Sequence, residues 1–214
     1  MIPAQFDYIA PTSLEEALSA LAEHGDDAKI IAGGQSLLPV LRMRLNAPEV
    51  VIDLGKIEAL RGVRDDGDAI VIGAMTTHAD VLTNALVRDN AFVITKAVEQ
   101  LADPQVRHRG TFGGALAHAD PAGDLGAPAL ALDAQFVIAG TGGERTVEAA
   151  DFFEDLFTTP SVTTRSSRRS GSPSGPAGAP TTRSSCGWRT SGRSWRSPPR
   201  SRSTAARSPR PGSA

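Results

Sequence analysis

The chain changes character abruptly after residue 160, and that break limits what can fold. Residues 1–160 carry 24 Asp and Glu against 11 Lys and Arg, a balance of −13. Residues 161–214 carry 11 Arg, no Lys and no acid, a balance of +11. The first part is rich in Ala, Leu, Val and Ile at regular spacing, the mark of a compact acidic domain. The second is built almost wholly of Ser, Arg, Pro, Gly, Thr and Ala, with hardly an aliphatic side chain beyond Val162. Such a stretch buries too little apolar surface to offset chain entropy, so residues 161–214 are expected to form a disordered tail.

The only cysteine, Cys186, lies in that tail, which leaves no intrachain disulfide and no cysteine-based metal site. The N-terminus has no basic start followed by an apolar run of signal-peptide length, and no stretch approaches a membrane span. The expectation is a soluble cytoplasmic protein without a membrane span.

Within residues 1–160, Phe6 to Ala10 reads as a short strand. Ser13 and Glu16 then have capping-box spacing ahead of a helix through Leu14, Ala17, Leu18 and Leu21, stopped at His24-Gly25. Ala28 to Ala32 reads as a buried strand running directly into Gly33-Gly34. A helix follows from Leu37 to Leu45, and a strand from Glu49 to Leu54 closes a βαβ-like unit, so residues 1–56 are taken as a first subdomain. Residues 57–160 are taken as a second. It opens with a hairpin, Leu60 to Arg64 and Ala69 to Gly73 about a polar turn at 65–68. Helices are predicted over Thr76–Arg88 and Asn90–Leu101, a short helix over Ala127–Leu132 and a strand over Gln135–Ala139. Asp151 to Phe157 is the last globular-looking segment.

Two glycine pairs carry the functional signal: Ile30-Ile31-Ala32-Gly33-Gly34-Gln35-Ser36-Leu37, and Thr111-Phe112-Gly113-Gly114-Ala115, the latter followed by Asp120-Pro121-Ala122-Gly123-Asp124. A phosphate needs several backbone N–H groups at close range, and residues without a Cβ let the main chain reach it without clash. Two such segments can clamp a diphosphate, which points to a dinucleotide cofactor. Neither has the spacing of G-x-G-x-x-G or of a Walker A loop, which weighs against a Rossmann or P-loop domain.

Together, A-G-G-Q-S at 32–36, R-x-R-G-T-F-G-G at 107–114 and A-D-P-A-G-D at 119–124 resemble the FAD-binding medium subunit of molybdenum hydroxylases, of the carbon monoxide dehydrogenase and xanthine dehydrogenase type. The resemblance implies an α+β fold of two FAD-binding subdomains, shared with flavoproteins of the vanillyl-alcohol oxidase type, followed by a separate C-terminal domain. It implies FAD held at Ile30, Ile31, Ala32, Gly33, Gly34, Gln35, Ser36 and Leu37 and at Thr111, Phe112, Gly113, Gly114 and Ala115. Leu101 would line the cofactor and Asp124 would contact its adenosine side. It further implies an oxidoreductase subunit, not active alone, that relays electrons within a heterotrimeric unit able to dimerise. The molybdopterin would belong to a large partner subunit and the 2Fe-2S clusters to a small one.

No catalytic residue and no metal ligand is assigned. His78, His108 and His118 lack metal-motif spacing and read as structural or solvated. Arg107 and Arg109 could neutralise phosphate, meet a partner or simply be solvated. Asp120 and Asp124 flank turn-forming Pro121 and Gly123, so at least one of them is expected to build the turn.

The basic tail admits two readings. Taken at face value it is a nucleic-acid-binding arm. Alternatively, redrawing each codon from the third base of one tail codon and the first two of the next lets residues 161–173 read G-D-D-E-I-L-E-E-I-R-V-P, and residues 180–198 read as sequence rich in aromatic and β-branched residues. The second reading, a frameshift that impairs the protein by removing its C-terminal domain, is preferred.

Overall fold

The computed structural model describes residues 2–67, 69–153, 157, 159 and 185–190, the last of these by its backbone. Its first sheet has three parallel strands, β1 (Asp7–Ile9), β2 (Ala28–Ile31) and β3 (Val50–Asp53), in the order β1-β3-β2. Asp7 and Ala28 both stand opposite Val50, so β3 is the central strand. Between β1 and β2 runs helix α1 (Leu14–His24), and between β2 and β3 the short helix α2 (Leu37–Arg42).

Local chemistry accounts for α1. The Ser13 hydroxyl accepts from the Glu16 N–H at 3.2 Å, while the Glu16 carboxylate reaches back to the Thr12 N–H at 2.8 Å. The reciprocal cap is thus made one residue earlier than Ser13-Glu16 spacing alone predicts. Gly25 ends the helix at φ 55°, its N–H on the Leu21 carbonyl. The helix buries Ala17, Ala20 and Leu21 in a cluster with Ala28, Val50, Ile52 and Leu54, which also takes in Ile57, Leu60 and Met75.

The second sheet holds β4 (Val63–Asp65), β5 (Ile70–Gly73), β6 (Gln135–Gly140), β7 (Gly143–Glu148) and β8 (Ser185–Thr190), in the order β4-β5-β8-β6-β7. β4 and β5 form the expected hairpin, Val63 opposite Ile72. Its first strand is shorter than predicted, because Glu58–Leu60 winds into a 3-10 turn that buries Leu60. A second cluster gathers Ile70, Ile72, Ile94, Val98, Phe112, Leu116, Phe136, Ile138 and Phe152. Phe136 and Phe152 pack edge to face with ring centroids 4.1 Å apart.

Helices cover this core: α3 (His78–Thr83), α4 (Ala85–Asn90), α5 (Phe92–Gln100), α6 (Pro104–Arg107), α7 (Phe112–His118), α8 (Gly126–Ala131) and α9 (Ala149–Phe152). The helix predicted over Thr76–Arg88 is therefore two. Asn84 leaves helical geometry at ψ 126° and its side chain accepts from the Leu86 and Val87 N–H groups, so a good N-cap residue interrupts the run.

Ser185–Thr190 departs from the expectation of a featureless tail. β8 pairs antiparallel with β5 on one side and with β6 on the other, Ile72 and Phe136 both standing opposite Trp188. The pairing uses main-chain groups that every residue but proline carries, so poverty in aliphatic side chains does not forbid it. The rest of 161–214, with the disorder expected there, lies outside the described residues. Among the described residues no helix is long and apolar enough to cross a membrane.

Candidate functional site

The first glycine segment lies where β2 ends and α2 has not begun. Gly34 takes φ 76°, a conformation that glycine adopts without steric cost. The first helical bond after the turn runs from the Leu38 N–H to the Gly34 carbonyl at 2.9 Å. The N–H groups of Gly33, Gly34, Gln35, Ser36 and Leu37 donate to no acceptor among the described residues. The side chains of Gln35 and Ser36 are exposed and likewise make no hydrogen bond there. A run of free main-chain donors with two polar side chains beside it is a cradle for an anion.

The second glycine segment is built differently. Thr111 is the N-cap of α7, its hydroxyl accepting from the Gly114 N–H at 3.2 Å, so Phe112 to Ala115 form the helix's first turn. All four amides are engaged. Phe112 donates to Thr76 O at 2.9 Å, Gly113 to Ala74 O at 2.9 Å, Gly114 to Thr111 Oγ1 and Ala115 to Thr111 O at 3.0 Å. The Phe112 ring is buried in the second core. The two glycine pairs, alike in sequence, therefore differ in what they offer: the first holds free donors and the second a rigid wall.

The fold presses these segments together. A Cβ on Gly33 would run into the Arg109 carbonyl oxygen and stand 2.7 Å from Gly110 Cα. One on Gly114 would come 3.2 Å from the Ala32 Cβ. Glycine is required at position 33 because one backbone lies directly on the other, while at 114 a Cβ would first meet the Thr111 hydroxyl that caps its own helix, at 2.6 Å.

The remaining candidates differ in their surroundings. Leu101 caps α5 and packs against the second core, while its carbonyl accepts from Arg107 Nη1 at 2.9 Å. Arg107 Nη1 also reaches Ala102 O at 3.1 Å, which makes this guanidinium a clasp on the end of α5. Arg109 is exposed and forms no ion pair among the described residues. Asp120 builds the anticipated turn, its carboxylate accepting from the Ala122 N–H at 2.9 Å. Asp124 is exposed and has no hydrogen bond among the described residues. His108 is exposed, His118 stacks obliquely on Phe157, and His78 is buried. Among the described residues no group of three or more His, Cys, Asp or Glu is placed to hold a metal ion.

Comparison with known proteins identifies the domain that carries these segments. The family described as the FAD binding domain in molybdopterin dehydrogenase matches residues 4–167. The chain belongs to this family. It is 45% identical over 159 residues to the carbon monoxide dehydrogenase medium chain of Hydrogenophaga pseudoflava, covering 74% of this chain and 55% of that one. It is 42% identical over 157 residues to the 6-hydroxypseudooxynicotine dehydrogenase complex subunit alpha of Paenarthrobacter nicotinovorans, covering 73% and 53%. Reconstituted CO dehydrogenase from Oligotropha carboxidovorans superimposes with a TM-score of 0.77 at 33% identity, covering 89% of this chain and 60% of that one. The chain spans about half the length of the curated relatives it matches.

FAD is the cofactor of this family's domain, and the residues present fit its diphosphate: free amides at Gly33–Leu37 and a Cβ-free approach at Gly33. Hydroxyl and amide side chains at Ser36 and Gln35 add donors without the steric bulk of a cationic side chain.

Proposed function

We propose that this chain is the FAD-binding subunit of a molybdenum hydroxylase complex of carbon monoxide dehydrogenase type. The observation that carries the reading is the row of amides at Gly33–Leu37, unengaged among the described residues, with Gly33 set against the Arg109–Gly110 main chain. In this reading Ile30 to Leu37 hold the diphosphate. Thr111 to Ala115 act as the wall against which the first segment is set, Leu101 closes one side, and Asp124 accepts from a ribose hydroxyl. Bound FAD would supply acceptance of electrons from iron–sulfur clusters on a small partner subunit and their delivery to an external acceptor. A large subunit would hold the molybdopterin. The division into subdomains at residues 56 and 57 belongs to the same reading; two core clusters support two units, and the first of them also takes in Ile57, Leu60 and Met75 from beyond that boundary. So does impaired turnover through a shift of frame near residue 160, which independent sequencing of the coding DNA across 157–169 tests.

The test of the site uses the full chain. FAD should bind saturably at one equivalent, read by flavin fluorescence, and riboflavin, which lacks the diphosphate, at least tenfold more weakly. Charge-assisted bonds from several amides, each worth about 1.5–3 kcal/mol, make that difference a lower bound. Equal affinity for riboflavin and FAD, or no binding of FAD, would overturn the assignment.

A further inference from the structure

His78 stands outside the set of residues assigned to the cofactor, yet it packs against their neighbour Gly110. It is the first residue of α3, 2% exposed, and its N–H donates to the Gly110 carbonyl at 3.0 Å. A Cβ on Gly110 would lie 2.8 Å from His78 Cδ2 and 3.1 Å from Nε2, so the ring occupies the space a side chain at 110 would fill. Gly33 presses on the Gly110 Cα from its own direction. Gly110 is thus in contact with both the imidazole and the first glycine segment.

The neighbouring bonds make this grip continuous. Thr77 and Thr111 form an isolated antiparallel bridge, and the Thr76 and Ala74 carbonyls hold the Phe112 and Gly113 amides. Residues 74–78 therefore run along residues 110–113 as a splint, with His78 at its end. Among the described residues the ring's Nδ1 is buried without a hydrogen-bond partner, so no polar bond there to that atom accounts for the imidazole's place. A thin, flat ring fits over a glycine Cα where a branched side chain would not.

We propose that His78 is a positioning residue that fixes the spacing between the two glycine segments and thereby the convergence of the Gly33–Leu37 amides on a diphosphate. The proposal rests on reading those amides as the FAD seat. Removing the ring lets Gly110 withdraw from Gly33, so the seat widens without any cofactor-contacting residue being altered. Filling the same volume with another flat ring preserves the spacing.

The full chain and its His78→Ala, His78→Phe and Gly110→Ala variants are compared in two ways. Amide hydrogen exchange is followed by NMR without FAD, with the β6 amides of Phe136 and Ile138 as an internal control, and FAD is titrated by fluorescence. For His78→Ala the expected result is at least tenfold faster exchange at Phe112 and Gly113, unchanged exchange in β6, and at least tenfold weaker FAD binding. His78→Phe should return both to within threefold of the wild type. If His78→Ala does not fold, Gly110→Ala wedges the same contact from the other side and should give the same local loosening. Exchange and affinity within threefold of wild type in folded His78→Ala would overturn the proposal, as would loosening of β6 to the same extent. If the wild-type chain binds no FAD while exchange still loosens locally, the spacing role is supported and the seat assignment is what fails.

Discussion

Gly33 meets Gly110 so closely that a methyl group on its α-carbon would stand 2.7 Å from the Gly110 Cα. The contact ties the end of the parallel sheet to the turn ahead of α7, so two glycine segments distant in sequence become opposite sides of one junction. Because the second segment's amides are already bonded, its position is set by the fold, and the first segment's free donors are aimed relative to it.

That contact predicts the effect of Gly33→Ala. The added methyl overlaps the Arg109 carbonyl, which is backbone and cannot rotate away, so the segments must separate. A loss of about 1–3 kcal/mol in stability is expected from overpacking, together with at least tenfold weaker FAD binding. Gly62→Ala is the matched control. It sits at φ 88° with nothing within 4 Å of a Cβ, so it carries a backbone penalty of about 1 kcal/mol and no effect on FAD. Urea unfolding and a flavin titration on both variants check this, and equal FAD affinities would contradict it.

Thr111 is expected to act through α7 as a cap. Its hydroxyl holds the Gly114 N–H, so Thr111→Ala should cost about 1 kcal/mol in urea unfolding. Thr111→Ser keeps the oxygen and should recover most of that loss. A Thr111→Ser variant as unstable as Thr111→Ala would show that the methyl group, not the cap, matters.

The two arginines beside this junction should separate cleanly. Arg107 Nη1 bonds the Leu101 and Ala102 carbonyls from a half-buried position, whereas Arg109 has no such partner among the described residues. Arg107→Ala should therefore destabilise by about 1 kcal/mol and Arg109→Ala by less than about 0.5 kcal/mol. Thermal melts of the two variants decide the order.

What was legible in the sequence is what short-range chemistry governs. The Ser13 cap, the Gly25 stop, the β4–β5 hairpin and the order strand, glycine turn, helix at 28–42 all follow from neighbours in the chain. The Thr111–Ala115 segment was not legible as helix, because paired glycines argue against one; its first turn is held instead by carbonyls of residues 74 and 76. The same holds for His78 and Gly110. The glycine is visible ahead of Thr111, but no local pattern says that an imidazole fills the space above it. The break at Asn84 could have been read from its capping propensity.

Burial of His78 gives a prediction about pH. Desolvation holds its imidazole down at about 4 in the folded chain, against an ordinary value of about 6.5. As pH falls below about 6.5 the unfolded chain takes up this proton first, so unfolding is favoured. The contribution is complete above pH 6.5, is lost progressively from there to about pH 4, and changes no further below that, where both states are protonated. Between pH 7 and 4.5 the loss from this one group is about 2 kcal/mol. Carboxylates titrate over part of the same range, but they are common to the wild type and to His78→Phe and cancel in the comparison. Urea unfolding at the two pH values should therefore show the wild type losing about 2 kcal/mol more than His78→Phe. Equal losses would mean that the ring is protonated in the folded chain at pH 4.5, with its charge reaching water or an acceptor as readily as in the unfolded state.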